Sequence, residues 1–318
     1  MAAPGSNYAV SVRSVTKRYG NFTAVDDLTF DVHSGEIFAV LGPNGAGKTT
    51  TIRMILDILK PDTGRIEVLG GPISDRTKER IGYLPEERGL YRNVPVIDIL
   101  TYLGQLKGMS RSDAQTRATS MLEQVDLGEN IKSKVSELSK GMQQKVQIIA
   151  TVLHHPDLII IDEPFSGLDP VNTQVIKDLL YSLNSDGVTI MMSTHQMQQI
   201  EEMADRLLMV DHGHRVLYGS VQEVRDRFAE NAVIVEGEGN WNALPGVASV
   251  ENAENGREVL LHLASGITPD AIMQEMATSQ NYRVRRFELA VPSLNEIFIQ
   301  VAGGNHNHTQ PSELPVRS

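Results

Sequence analysis

Residues 42–49 read Gly-Pro-Asn-Gly-Ala-Gly-Lys-Thr, and this octet constrains the fold more than any other feature of the chain. Its glycines free the backbone to turn N–H groups inward, where they can surround an anion. An apolar run over residues 36–41 precedes the octet, and a helical pattern over 48–59 follows it before Pro61 and Gly64. A strand feeding such a turn and then a helix brings the positive helix N-terminus to the same anion. The pattern GxxxxGK[ST] in that setting is a P-loop. Gly42, Pro43, Asn44, Gly45, Ala46, Gly47 and Thr50 are its cradle residues; Lys48 reaches the β- and γ-phosphates, and the Thr49 hydroxyl ligates Mg2+. A glycine-rich turn that merely caps its helix is the competing reading, and eight matching positions weigh against it. The octet is read as a nucleotide site.

The rest of the first 228 residues has the periodicity that a P-loop requires. Residues 8–15 and 28–32 alternate as half-buried strands do, while 65–69 and 80–84 read as short strands. The pattern is helical from 96 to about 124. Buried strands are expected over 158–162 and 188–193, with a helix over 170–183 between them. Strands interleaved with helices predict an α/β fold with a mainly parallel sheet.

At 318 residues the chain is long for one domain, and its character changes near residue 230. A helix over 220–229 opens with Ser220 and Glu223 in capping-box spacing. Strands are then expected over 232–238, 257–263 and 282–289, with a helix over 269–278. Ser293 and Glu296 cap a last helix to 301. The reading is two domains, 8–228 and a small α+β module over 230–302, with a polar, disordered tail over 303–318.

Composition excludes several classes. No run of ~18 uncharged apolar residues is present, so no membrane-spanning helix is expected. The N-terminus lacks the basic and apolar regions of a secretory signal. With no cysteine, disulfides, thiolate catalysis and Cys-based zinc sites are excluded, and a reducing, cytoplasmic location is expected. The net charge of −11 argues against nucleic acid as a partner. The pairs His154/His155, His212/His214 and His306/His308 lack the acids or cysteines that would complete a metal ligand set.

A second element of a phosphate site stands about 110 residues after the P-loop. Leu158-Ile-Ile-Ile-Asp162-Glu163 is an apolar strand ending in two carboxylates. Alternation along a regular strand would send Asp162 and Glu163 to opposite sides and give them different tasks. Asp162 would hold Mg2+, and Glu163 would orient or deprotonate the attacking water. A solvated loop acid before Pro164 is an equal reading of Glu163 on this segment alone.

Just ahead of that strand, Leu138-Ser139-Lys140-Gly141-Met142-Gln143-Gln144 resembles the signature motif of ABC-type ATPases, Leu-Ser-Gly-Gly-Gln. The order of the later motifs is also similar to that family: Asp162-Glu163, then Ser166-Gly167-Leu168-Asp169 as a D-loop, then Ser193-Thr194-His195 as a switch histidine. Tyr19 stands where the family stacks an aromatic ring on adenine, although a strand-end tyrosine fits the position as well. Asp169 before Pro170 is also a good helix N-cap, and Ser139 could cap its own helix. The resemblance covers about residues 8–228. It implies a P-loop NTPase of ABC type, with a mainly parallel core sheet, an antiparallel β subdomain and a helical subdomain, followed here by the small α+β domain.

The resemblance also implies a mechanism. Two ATPase domains close head-to-tail over two ATP molecules, Ser139 and Gly141 of one copy meeting the γ-phosphate held by the other. His195 contacts that phosphate, hydrolysis reopens the pair, and a homodimer is expected. The chain departs from the family at Lys140, at Met142 and at Glu86, which replaces the usual Q-loop glutamine and could ligate Mg2+ more strongly. These departures, with Pro85-Glu-Glu-Arg-Gly-Leu-Tyr91, look like one branch of the family that includes sodium-extrusion ATP-binding subunits. The implied role is the ATP-hydrolysing subunit of an exporter of sodium or a drug, peripheral on the inner face of the cell membrane. Its permease would be a separate chain, docked on about residues 82–128, with Leu90, Tyr91, Val94, Val96 and Ile97 as contact candidates, although at least half of these fit the helical subdomain's own core as well. A soluble ABC ATPase acting on the ribosome or DNA is the alternative.

Overall fold

Alternating residues near the start of the chain become long antiparallel strands in the computed structural model, which describes residues 7–86, 89–252, 258–279 and 281–304. Strand β1 (Tyr8–Tyr19) pairs with β2 (Phe22–His33) on one side and β4 (Thr63–Val68) on the other. Val10, Val12 and Val15 of β1 and Leu28, Phe30 and Val32 of β2 are buried. The expected strand over 8–15 runs on to Tyr19 past a register shift near Ser14, whose φ is +46°.

The second sheet has six strands in the order β5 (Ile81–Leu84), β6 (Leu158–Asp162), β7 (Thr189–Thr194), β3 (Ile37–Leu41), β8 (Arg206–Asp211), β9 (His214–Ser220). The first five run parallel, and β9 returns antiparallel to β8. Every residue of β3, β6 and β7 is buried, as their largely apolar sequences require of strands covered on both faces. Helix α1 (Lys48–Ile55) shares one core with both sheets. Its Ile52, Met54 and Ile55 join Val12 and Phe30 of the first sheet to Phe38 and Met191 of the second. The Phe30 and Phe38 rings stack with centroids 5.8 Å apart.

The helices differ from the sequence reading at their ends. The helix expected over 48–59 stops at Ile55, because Asp57 takes φ +59° and pairs with Lys60. A short helix α2 (Asp75–Glu79) was not expected. The helical stretch over 96–124 is two helices, α3 (Val96–Leu106) and α4 (Arg111–Gln124). Gly108 at φ +86° breaks them apart, and the Ser110 side chain caps the second by accepting from Asp113 N. Both pack on α5 (Lys140–Val152). Helices α6 (Pro170–Ser185) and α7 (Met197–Met203) flank β7 in sequence.

The chain divides into two compact units between Val221 and Gln222. In the second, α8 (Val221–Phe228) leads into a four-stranded antiparallel sheet ordered β11 (Val247–Asn252), β12 (Glu258–Leu263), β10 (Ala232–Glu238), β13 (Arg283–Leu289). Helix α9 (Pro269–Thr278) contributes Ile272 and Met276 to a core with Val233, Leu261 and Trp241. Strand β11 was missed by the periodicity. Helix α10 (Leu294–Gly304) has the expected cap, Ser293 N donating to Glu296 Oε2 at 2.7 Å and Glu296 N to Ser293 Oγ at 3.2 Å. The expected disorder over 303–318 falls outside the described residues from 305 onward, as do His306 and His308, and residues 303–304 end α10.

One glycine decides how closely β5 lies to α5. A Cβ at Gly82 would sit 2.4 Å from the Thr151 carbonyl oxygen, and that oxygen belongs to helix backbone. Gly82→Ala is expected to lower the unfolding free energy by about 1–3 kcal/mol, as overpacking does. Denaturant titration checks this; an unchanged midpoint would contradict the close approach.

Candidate functional site

The P-loop leaves the C-terminal end of β3 and wraps onto the first turn of α1. Two of its glycines cannot be replaced, for a reason the sequence does not carry. A Cβ at Gly42 would lie 2.1 Å from the Val210 carbonyl oxygen, and one at Gly47 would lie 2.5 Å from that of Ala24. Gly47 also takes φ +106° and is the N-cap of α1, with no side chain bonded to the first turn. The N–H groups there are therefore left to an outside acceptor. By contrast, Ser139 and Asp169 cap α5 and α6 with their own side chains.

Lys48 is only 7% exposed, and its ammonium turns back on its own loop. Nζ donates to the Gly42 carbonyl at 2.7 Å and to the Pro43 carbonyl at 3.1 Å. Burial pushes the ammonium below its ordinary range, while the nearby charges of Glu163, Asp162 and Glu86 pull it partly back.

Asp162 ends β6 opposite Ser193 of β7, whose hydroxyl donates to Asp162 Oδ1. Its other oxygen accepts from the Thr49 hydroxyl at 3.2 Å. Thr49 and Asp162 thus present a hydroxyl and a carboxylate side by side at the P-loop. Hard oxygen donors of this kind fit Mg2+, which takes one or two carboxylates and keeps its remaining positions for water and phosphate. Glu86 stands exposed two residues beyond β5, whose Leu84 lies opposite Ile161 of β6.

Glu163 departs from a regular strand. Its φ is +54°, so the alternation of β6 ends at Asp162 and a left-handed turn sets the next side chain. The carboxylate is buried rather than a solvated loop acid. Oε2 accepts from the Thr194 hydroxyl at 3.0 Å, and Oε1 accepts from His195 N at 3.1 Å and meets His195 Nδ1 at 2.7 Å. The two acids take separate partners, as the sequence led us to expect, although local backbone strain produces the separation.

Residues 42–50, Asp162, Glu163 and His195 are thus gathered at one end of the parallel sheet, with Glu86 close enough to act on Lys48. Tyr19 ends β1 as an exposed ring with Lys17 Nζ 5.9 Å from its centroid. Among the described residues no hydrogen bond joins Ser139 or Gly141 to the P-loop. Ser139 caps α5 by accepting from Met142 N at 3.3 Å, and a Cβ at Gly141 would meet Asn172 Nδ2 at 3.2 Å.

Sequence reading missed several supporting side chains. Ser193 and Thr194 each hold one of the carboxylates; their place just before His195, at the end of an apolar strand, is the signal that could have marked them. Gln144 donates from α5 to the Pro164 carbonyl, a link that no spacing rule reveals. Asn172 donates its backbone N–H to Asp169 Oδ1 at 2.9 Å.

The buried ammonium gives a prediction with a definite sign. Because the folded pKa of Lys48 is lowered, the native state binds fewer protons than the unfolded chain from that lowered pKa up to the ordinary lysine value. Stability from this group therefore rises with pH across that window, and below it the cost of the charge is fully present. Lys48→Met is expected to be at least as stable as the parent at pH 7 and to lose this rise on the alkaline side. Denaturant midpoints at pH 7 and 10 measure both; a less stable variant at pH 7 would contradict the assignment.

Comparison with known proteins agrees with this geometry. Residues 25–166 match the family model described as ABC transporter, and residues 219–302 match that of the ATP-binding protein DrrA1-3-like, C-terminal domain. The chain is 40% identical to the uncharacterized ABC transporter ATP-binding protein YhaQ of Bacillus subtilis, over 92% of this chain and 98% of that protein. It is 33% identical to the Nod factor export ATP-binding protein I of Rhizobium meliloti, over 95% of this chain and 91% of that one. A solved ATP binding subunit of an ABC transporter superposes with a TM-score of 0.64 at 30% identity, over 69% of this chain and 93% of that one. The P-loop, the two carboxylates that face it and the matches along nearly the whole length lead to one assignment: the chain belongs to the ATP-binding, ATP-hydrolysing proteins of ABC transporters.

Proposed function

We propose that this chain is the motor subunit of an exporter, working as a homodimer on the cytoplasmic face of a membrane beneath a permease carried on a separate chain. The observation that carries the reading is the contact of Glu163 Oε1 with His195 Nδ1 at 2.7 Å, beside the P-loop and next to the Thr49–Asp162 pair. A buried carboxylate held by a hydroxyl and an imidazole is positioned to order a water and take its proton. With Nδ1 engaged by Glu163, Nε2 is the ring nitrogen left for the γ-phosphate. Lys48 would exchange the Gly42 and Pro43 carbonyls for the β- and γ-phosphates, and the open first turn of α1 would hold their oxygens. Tyr19 would stack on the base. Thr49, Asp162 and Glu86 would hold Mg2+, which when bound offsets phosphate charge.

The same geometry supports assembly in pairs. Ser139 and Gly141 stand at the N-terminus of α5, among the described residues without a hydrogen bond to their own P-loop, as residues serving a second copy would. ATP then closes the pair and its hydrolysis reopens it.

For the permease we propose a groove of about 530 Å³ in the first unit. Leu84, Leu90, Leu103 and Leu106 line it with Gln147 and His154. Leu90 is at its wall and Tyr91 is exposed, in keeping with the expected contacts. Val96 and Ile97 follow the core reading instead: both are buried, because they open α3 on its inward face. Among the described residues no helix is long and apolar enough to cross a membrane. Export as the direction follows the relative named for Nod factor export, with sodium or a drug as the cargo classes to be tried first.

Glu163→Gln is expected to retain ATP binding while turnover falls by about 10²-fold or more. In size-exclusion chromatography this variant should run as a dimer with ATP and a monomer with ADP; near-normal turnover would remove Glu163 from the chemistry. Tagged Glu163→Gln, extracted from native membranes in mild detergent with ATP, should bring down an integral membrane protein in stoichiometric amount. Recovery of ribosomal or DNA-repair proteins with no membrane chain would replace export by the soluble alternative.

A further inference from the structure

The charge balance around Lys48 is unusual for a site that receives a polyanion. Strands β5 and β6 run parallel with Leu84 opposite Ile161. Asp162 is the next residue on one strand, and Glu86 stands two residues beyond Leu84 on the other. Glu163 follows Asp162, so the three carboxylates belong to residues at the same edge of the sheet as the P-loop. All three act on the Lys48 ammonium.

These acids differ in how they are held. Asp162 accepts from the Thr49 and Ser193 hydroxyls, and Glu163 from the Thr194 hydroxyl and the His195 backbone. Donors of this kind hold a carboxylate in place without cancelling its charge. Glu86 is exposed, and its charge is felt at the Lys48 ammonium. Opposing the three acids, Lys48 contributes one positive charge, and the P-loop N–H groups and the α1 dipole contribute partial charges.

From this we infer that Glu86 makes nucleotide binding obligatorily coupled to a divalent cation: the site rejects metal-free nucleotide and accepts the cation–nucleotide pair. The inference rests on the nucleotide-site reading and concerns the selectivity of that same site. A polyphosphate arriving alone would add up to four negative charges to an edge already lined with three acids. Arriving with a divalent cation, it brings the charge that the acids lack, and a carboxylate at position 86 gains a partner. Coupling of this type is reciprocal, so nucleotide raises the affinity for the cation by the same factor. An uncharged residue at 86 would leave cradle and acids closer to balance, and metal-free nucleotide would then be tolerated.

The test is equilibrium binding by calorimetry, on the full chain, with the non-hydrolysable β,γ-imido analogue of ATP at constant ionic strength. Each protein is titrated once with Mg2+ and once with EDTA. The parent is expected to bind about 10²-fold or more weakly in EDTA than in Mg2+. Glu86→Gln should bind the metal-free analogue about tenfold or more tightly than the parent does, as loss of one like charge beside a tetra-anion dictates. Glu86→Asp keeps the charge and should keep the parent's coupling. Because Glu86 is exposed, neither change disturbs the core. If Glu86→Gln weakens binding only in Mg2+ and leaves the EDTA affinity unchanged, Glu86 is a ligand without an excluding role, and the inference fails. Equal affinities of the parent in Mg2+ and EDTA would also overturn it. Absence of binding by the parent even with Mg2+ would overturn the nucleotide-site reading itself and the inference with it.

Discussion

Parallel pairing of β3, β7 and β6 is the constraint on which the site depends. In a parallel sheet every strand ends on the same edge, so the loops leaving neighbouring strands emerge side by side. The P-loop after β3, His195 after β7 and Glu163 after β6 meet for that reason, although more than 140 residues separate the first from His195. Burial of all three strands on both faces holds the register. A one-residue slip would move Asp162 away from Ser193 and break the network around both carboxylates.

Within that frame, backbone contacts set the shape of the cradle. Gly42 lies against the Val210 carbonyl of β8 and Gly47 against the Ala24 carbonyl of β2, so the loop is clamped between strands of the two sheets. Space for a side chain is missing at both positions, and the strand carbonyls cannot retreat without disturbing their own pairing. Lys48 is confined by the same clamp and satisfies its donors on the loop that would otherwise hold phosphate. The arrangement favours function over stability, because a buried ammonium beside a set of carboxylates is useful only when a polyanion arrives.

The segment that leaves β5 belongs to two places at once. Leu84, Pro85, Gly89 and Leu90 line the groove on the helical side, while Glu86, between them in sequence, acts on Lys48 at the site. The link on the other side is Gln144, which ties α5 to Pro164 just beyond Glu163.

The sequence alone determined the chemistry and most of the element types. The octet at 42–49 pointed to a nucleotide site, because it needs particular residue types at short spacing, and short spacing is visible in a linear chain; the roles of Glu163 and His195 came only with the resemblance of the whole motif order to a family. Helix ends at Asp57 and Gly108, the strand over Val247–Asn252 and which of the apolar residues between 90 and 97 turn inward were not legible. They depend on left-handed turns and on packing partners distant in sequence. Only the tertiary structure decided that Glu163 turns through φ +54° to reach His195, that two loop glycines face strand carbonyls and that three acids share one lysine. Those outcomes are set by which strands lie side by side, and strand order is a property of the folded sheet that local sequence does not carry.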